Sequence, residues 1–302
     1  MGNFRRLPRF DYLAPQTIDE ACAVLAERPG DARLFAGGTD LLLQMRRREI
    51  APRAIIGLKG VASLSFIRRQ NGGVAIGAMT PFSAIESSPL IGEKHDFLCE
   101  TAAGIGSPEL RSVATVGGNL SGALPCADFP APLITLGAVV RLRSARGERS
   151  LALEDFFRGF AETAAAPDEI LIEIELPSRP ACSAGAYLKF HDRHAMDMTT
   201  TGVAAFVTWD AEKRLVADVR IALSVSGPIP LRAKKAEAAL RGRQVTGEAL
   251  EEAALLACQE AKPRTSWRAS KEFREELISV LTKRALRRAG EKAQAAAERG
   301  NA

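Results

Sequence analysis

At 302 residues the chain is long enough for two or three domains around a buried core, and 46% apolar with 25% charged residues is ordinary globular composition. A net charge of +5, from 41 basic and 36 acidic residues interspersed along the chain, argues against nucleic acid as a partner. No apolar run approaches the roughly 20 residues of a membrane span, and the five cysteines are too scattered for a C-x-x-C metal or cluster motif.

Met1 to Asp11 carries Arg5, Arg6 and Arg9 without an apolar stretch, so it does not read as a secretory signal, and the expected compartment is the cytoplasm. Thr17-Ile18-Asp19-Glu20 has capping-box form, and Ile18, Ala21, Cys22 and Leu25 follow at helical spacing, predicting a helix that ends near Pro29-Gly30. A strand over 32–35 leads into Ala36-Gly37-Gly38-Thr39-Asp40-Leu41, where the paired glycines predict a tight turn. Thr39 is the expected cap of the next helix, with Leu42, Leu43 and Met45 on its apolar face and Arg46 to Arg48 at its end, as the macrodipole favours. Strands are predicted over 54–58 and 74–78, then a helix capped by Thr80 with Pro81 at its first position.

A second glycine pair, in Thr115-Val116-Gly117-Gly118-Asn119-Leu120, predicts a second tight turn, and Asp128 precedes a helix carrying Pro130, Leu133 and Leu136. Strands over 139–142 and 150–153 and a half-buried strand over 170–176 lead to a linker at 177–180. Beyond it, 186–190, 203–209 and 215–223 predict an antiparallel sheet with a hairpin near 210–213, then helices over 233–240, 247–261 and 271–289. The alanine-rich tail 291–302 is expected to fray. The order predicts an α+β protein with a front domain over 1–177, in subdomains of about 1–58 and 59–177, and a C-terminal α+β domain over 181–290.

Glycine pairs let main-chain N–H groups approach a bulky anion, so two of them suit a ligand with two phosphates, such as a dinucleotide. The N–H groups of Gly38, Thr39 and Asp40 would form an anion site at a helix start, where the dipole adds roughly 0.3–1 kcal/mol per charge. Asp40 is awkward beside a pyrophosphate, and its carboxylate is expected to point away, towards a ribose or a backbone donor. The Rossmann fingerprint G-x-G-x-x-G is absent. Asn119 offers an amide and Thr115 a hydroxyl. Asp128 can bond ribityl or ribose hydroxyls, cap the following helix, or do both. Pro125 and the small residues Ser121, Gly122 and Ala123 leave room for a planar ring.

His191 and His194 form H-x-x-H without a third ligand and read as a loop, and no histidine lies beside either glycine pair to hold a flavin covalently. Trp209 and Trp267 read as core or interface anchors, and the helix with Phe273, Leu277, Val280 and Leu281 as amphipathic packing. No Ser/His/Glu constellation for bond breaking is evident.

The segments AGGTDLL, IGAMT (Ile76 to Thr80) and ATVGGNL, followed by small residues and an Asp-x-Pro helix, resemble the FAD-binding subunit of the xanthine dehydrogenase family of molybdenum hydroxylases. The resemblance runs from about Phe10 to about Ala289 and includes Gly227-Pro228-Ile229-Pro230-Leu231-Arg232 before the last helices. It implies a vanillyl-alcohol-oxidase-type fold holding FAD non-covalently between two α+β subdomains. By motif position, Ala36 to Leu41 would hold the pyrophosphate, and Thr115, Gly117, Gly118 and Asn119 the other side, with Asp128 on its hydroxyls. Gly77 and Thr80 would lie near the ring or ribityl chain, Leu171 near the adenine or ring, and Lys189 beside the cofactor.

The resemblance further implies a partner large subunit with molybdopterin and a small subunit with 2Fe-2S clusters, electrons passing through the clusters to FAD and on to an acceptor such as NAD. The 4-hydroxybenzoyl-CoA reductase branch has an added cysteine-rich cluster insertion. Here only Cys126 lies between Asn119 and Asp128, so no metal is expected on this chain. The alternative is a self-sufficient NADPH-dependent flavoenzyme resembling UDP-N-acetylenolpyruvoylglucosamine reductase. That family, however, has a different second motif from Gly117-Gly118-Asn119.

Overall fold

The computed structural model describes residues 6–28, 30–193 and 195–300, and three α+β units follow one another along the chain. The first holds β1 (Asp11–Leu13), α1 (Ile18–Ala26), β2 (Ala32–Phe35), α2 (Leu41–Arg47) and β3 (Ala54–Gly57), its strands parallel in the order β1-β3-β2. Thr17 caps α1 through its side chain, accepting from Glu20 N at 3.2 Å, while Glu20 reaches back to Gln16 N at 2.8 Å. Pro29, at the expected end of this helix, lies outside the described residues.

The second unit runs through β4 (Ile67–Gln70), β5 (Gly73–Gly77), α3 (Phe82–Glu86), α4 (Pro89–Ala103), α5 (Pro108–Val113), α6 (Val116–Gly122) and α7 (Pro130–Thr135). It continues with β6 (Val139–Ser144), β7 (Gly147–Ala152), β8 (Phe157–Gly159), β9 (Glu162–Thr163) and β10 (Ile170–Leu176). Its main sheet is antiparallel, in the order β4-β5-β10-β6-β7. The strand expected to be half-buried, β10, is covered on both faces: Ile170 packs into the core of the first unit and Leu171, Ile174 and Leu176 into that of the second. α3 starts one residue later than predicted, with Pro81 in the cap position. Thr80 does not cap it, because its hydroxyl donates to Phe66 O at 3.0 Å and fixes the turn after β5.

The third unit comprises β11 (Ser183–Phe190), β12 (Thr201–Asp210), β13 (Leu215–Ser224), β14 (Leu231–Arg232), α8 (Lys234–Leu240), α9 (Gly247–Glu260) and α10 (Lys271–Gly300). β12 alternates between two cores. Val203, Ala205 and Val207 face the helices of this unit, while Ala204 and Phe206 face the core of the second unit, so small side chains let the sheet lie between both. The tail expected to fray is helical to Gly300, because alanine favours helix and Ala293 and Ala297 are buried. Lys292 also pairs with Asp96 at 2.8 Å and Glu100 at 3.1 Å on α4. The linker at 177–180 is tied as well, Arg179 donating to Lys94 O at 2.9 Å. Among the described residues no helix is long and apolar enough to cross a membrane.

α4 is broken at His95, whose backbone (φ −147°, ψ 60°) is not helical and whose side chain is only 3% exposed. Its Nδ1 has no hydrogen-bond partner among the described residues. Burial, helped by the nearby Arg179 cation, lowers its pKa from 6.5 to about 4. The unfolded chain therefore takes up a proton that the folded one refuses between these values. This contribution to stability is full above pH 6.5 and falls as pH drops to about 4. A loss of up to about 3 kcal/mol is expected. Urea midpoints at neutral pH and near pH 4.5, compared with those of His95→Gln, check it: the variant should lose much of the slope, and an unchanged slope would refute the role given to His95.

Candidate functional site

A cavity of about 680 Å³ lies where the three units meet. Its first wall is the turn between β2 and α2. Gly37 has no room for a side chain, since a Cβ would run into Val113 and lie 2.9 Å from Ala114 Cα. Gly38 takes φ +71°, the left-handed region that glycine allows. The N–H groups of Gly38, Thr39 and Asp40 donate to no protein acceptor among the described residues. The expected cap at Thr39 is replaced by Asp40, whose side chain makes no capping bond. With only 7 residues in α2, attraction for an anion rests on these directed donors more than on the dipole. The Asp40 carboxylate bonds no backbone donor among the described residues and lines the cavity, which leaves it the ribose as a partner, and burial raises its pKa.

The second wall differs from its prediction. Gly117 and Gly118 are not a tight turn but the start of α6, and neither has positive φ. Val116 N donates to Thr80 O at 3.1 Å and Gly117 N to Ala78 O at 2.8 Å, so these groups dock the helix on the segment after β5. Gly117 is required by packing: a Cβ there would lie 2.6 Å from Ala78 Cβ. Thr115 caps α6, accepting from Gly118 N at 3.1 Å. A Cβ on Gly118 would lie 3.6 Å from Ala36 Cβ, so the two glycine segments face each other across the cavity. Asn119, also in the lining, has a buried Oδ1 with no partner among the described residues.

Asp128 does not cap α7. Its carboxylate accepts from Tyr187 OH at 2.9 Å, from Thr199 Oγ1, and from Lys189 Nζ at 2.6 Å, while Lys189 also donates to Gly104 O at 2.9 Å. Burial, and then the Asp128 charge, push the Tyr187 phenol well above its ordinary pKa, so it stays a donor. Of the expected residues, Ala36 to Leu41, Thr115, Gly117 to Asn119, Asp128 and Leu171 line the cavity. Gly77, Thr80 and Lys189 do not. Gly77 packs against Leu64 and Phe66, Thr80 bonds Phe66, and Lys189 stands behind Asp128.

Sequence reading missed Ile105 and Gly106 between α4 and α5, and Met196 to Met198, all of which line the cavity. Met196 N donates to Gly106 O at 3.1 Å, joining the two segments. Asp197 holds its own loop, accepting from the N–H groups of Asp192, Arg193 and Met198 at 2.7–2.9 Å. These bonds, the one from Arg193 foremost, lower its pKa to about 2. Gly106 before Ser107-Pro108 was the available signal, a glycine at φ +52° ahead of a helix cap. His191 bonds Arg193 O, and His194 lies outside the described residues. Among the described residues no three His, Cys, Asp or Glu side chains converge as a metal site.

An α+β cradle with opposed glycine segments, free N–H donors and an unpartnered buried amide oxygen fits a dinucleotide flavin: phosphate oxygens match the donors, and a hydroxyl or ring N–H would satisfy Asn119. Residues 8–179 match the FAD binding domain in molybdopterin dehydrogenase, and residues 186–289 the CO dehydrogenase flavoprotein C-terminal domain. The chain belongs to the family of FAD-binding subunits of xanthine dehydrogenase and carbon monoxide dehydrogenase. It is 33% identical to the xanthine dehydrogenase FAD-binding subunit of Escherichia coli O157:H7, over 91% of this chain and 94% of that one. The carbon monoxide dehydrogenase medium chain of Hydrogenophaga pseudoflava is also 33% identical, over 92% and 96%. A solved carbon monoxide dehydrogenase from that organism superposes with a TM-score of 0.92 at 34% identity, covering 95% of this chain and 99% of the other. The likeness to UDP-N-acetylenolpyruvylglucosamine reductase from Thermus caldophilus has a TM-score of 0.31 and carries no argument.

Proposed function

We propose that this chain is the FAD-binding electron-transfer subunit of a multi-subunit molybdenum hydroxylase. In this reading partner subunits carry molybdopterin and 2Fe-2S clusters, substrate is oxidised at the molybdenum subunit, and electrons reach an acceptor such as NAD through this chain in the cytoplasm. FAD, when bound, supplies the two-electron to one-electron exchange. The observation that carries the reading is the cavity between opposed glycine segments, with free N–H groups on one wall and the unpartnered Asn119 oxygen on the other.

The chain's own residues bind and orient the cofactor. Gly38, Thr39 and Asp40 would donate to the pyrophosphate, with Ala36, Gly37 and Leu41 shaping the turn around it. Thr115, Gly117, Gly118 and Asn119 would form the facing side, and Leu171 an apolar contact. Asp128 and Lys189 would set the floor, Lys189 acting through Asp128, while Gly77 and Thr80 would hold Ala78 and Met79 against it. This reading divides the chain into a front domain over 1–177 and a C-terminal domain over 181–290. Met196 and Met198 would form the solvent-facing rim at one end.

Gly38→Val tests the turn. A β-branched side chain at φ +71° and against the Phe35 ring would close the approach to the pyrophosphate, at far more than the ~1 kcal/mol of an ordinary glycine substitution. FAD per mole of purified chain should fall to a small fraction of the wild-type value with the fold retained by circular dichroism. Normal occupancy would refute the assignment of this turn.

A further inference from the structure

Asp40 combines two roles that conflict. Its N–H is one of the three on this turn that donate to no protein acceptor among the described residues, which makes it part of the phosphate cradle. Its carboxylate hangs from the same residue and lines the same cavity. The side chain reaches towards α6, where Oδ2 lies 4.0 Å from the position of a Cβ on Gly122, and its charge acts on the Cys126 thiol. It makes no capping bond, and burial, with no cation set against it, raises its pKa.

The charged groups around the cavity are engaged elsewhere or carry the same sign. Asp128 is held by Tyr187, Thr199 and Lys189, which uses the Lys189 cation. Asp197 accepts from N–H groups of its own loop. On the first unit Arg33 donates to Ala32 O at 3.2 Å, and Glu49 stands 3.8 Å from Arg47. Arg268 lies against Trp267 and Met198, and burial keeps the Cys126 thiol neutral. α6, β10 and the segment after β5 bring no titratable side chain to the lining. A pyrophosphate on these N–H groups therefore adds negative charge beside a carboxylate that no cation offsets, and the dinucleotide displaces the water around it. Both effects favour the neutral acid. The acid can donate to a phosphate or hydroxyl oxygen, whereas a carboxylate only accepts.

We propose that Asp40 takes up a proton from solvent as FAD binds, so that the pyrophosphate meets a carboxylic acid, and releases it when FAD leaves. The proposal rests on the flavin-subunit reading above. It makes Asp40 a positioning residue that couples cofactor retention to pH. The sign follows from linkage: the phosphates raise the pKa of the bound chain above that of the free one. Affinity for FAD is greatest below the free chain's value and falls by up to about tenfold per pH unit until the bound chain's value is passed.

The test is calorimetric titration of the FAD-stripped full-length chain with FAD between about pH 5 and pH 8. Two buffers of different ionisation enthalpy count the protons, and each titration is run with EDTA and with magnesium. The wild-type chain should take up a fraction of a proton, up to one per FAD, and its Kd should rise with pH. Asp40→Asn keeps the shape and a donor without the charge. It should take up none, hold its Kd across the range, and bind about tenfold more tightly than wild type at the alkaline end. Wild-type binding without proton uptake, or equal uptake by Asp40→Asn, would overturn the proposal and leave the flavin reading standing. Tight binding that requires magnesium and is lost in EDTA would assign the charge compensation to a cation between Asp40 and the phosphates, and equally overturn it. No FAD binding by the wild-type chain at any pH would overturn the flavin reading, and the proposal with it.

Discussion

Gly117→Val is expected to destabilise the FAD-free chain by at least about 3 kcal/mol, combining overpacking with the loss of a buried hydrogen bond. Its Cβ alone would lie 2.6 Å from Ala78 Cβ and Ala78 O, which are backbone-fixed atoms that no rotamer change can move. The helix would have to lift from the segment after β5, breaking the 2.8 Å bond from Gly117 N to Ala78 O. Val116 and Leu120, both fully buried on α6, would lose packing with it. Gly118→Ala is the contrast: its nearest neighbour would be Thr115 Oγ1 at 3.0 Å, and the change narrows the gap to Ala36. Alanine's better helix propensity, about 1 kcal/mol, offsets the crowding at Thr115, so the stability of the fold should change little while FAD retention weakens. Urea denaturation of both variants checks this, and a wild-type midpoint for Gly117→Val would show that α6 does not dock on Ala78.

Asp128→Ala should cost about 3–5 kcal/mol, the range for removing one partner of a buried ion pair. Asp128 is 8% exposed and joins the second unit to the third through Tyr187, Lys189 and Thr199. Without it the Lys189 ammonium keeps only the Gly104 carbonyl, Thr199 Oγ1 loses its acceptor, and Tyr187 OH keeps only Ser224 Oγ at 3.3 Å. Asp128→Asn keeps an acceptor oxygen and should fall between wild type and alanine. A double variant with Lys189→Met removes the stranded charge and should be less destabilised than the two single changes summed. Strict additivity in denaturant titrations would mean that the two side chains do not interact as described.

Much of this architecture was legible because its signals are local. The glycine segments, the strands beside them and the three-unit order follow from residue type and period over short windows. The same pair of letters, however, hid two physical causes: Gly38 is needed for its φ, and Gly117 for the closeness of Ala78. A sequence offers no means to tell a turn glycine from a packing glycine without its neighbour. Asp128 was read as a cap or a ligand because its bonding partners lie far along the chain on and beyond β11. Helices α4 and α5 escaped notice because His95 interrupts the first, although Ser88-Pro89 and Ser107-Pro108 were usable start signals. Met196 to Met198 form a wall only through Asp197 and the bond from Met196 N to Gly106 O, which are tertiary facts. Glu291 onwards looked frayed because the burial of Ala293 and Ala297 and the partners of Lys292 come from elsewhere in the fold.

The cofactor assignment is tested most directly by the visible absorption spectrum of the purified chain, followed by denaturation, chromatography of what is released, and metal analysis. The account predicts a flavin spectrum, free FAD in near-equal amount to the chain, and no proportionate iron. A colourless chain that takes up no FAD on reconstitution would contradict it, and iron retained in proportion to the chain would contradict the placement of the clusters on a partner.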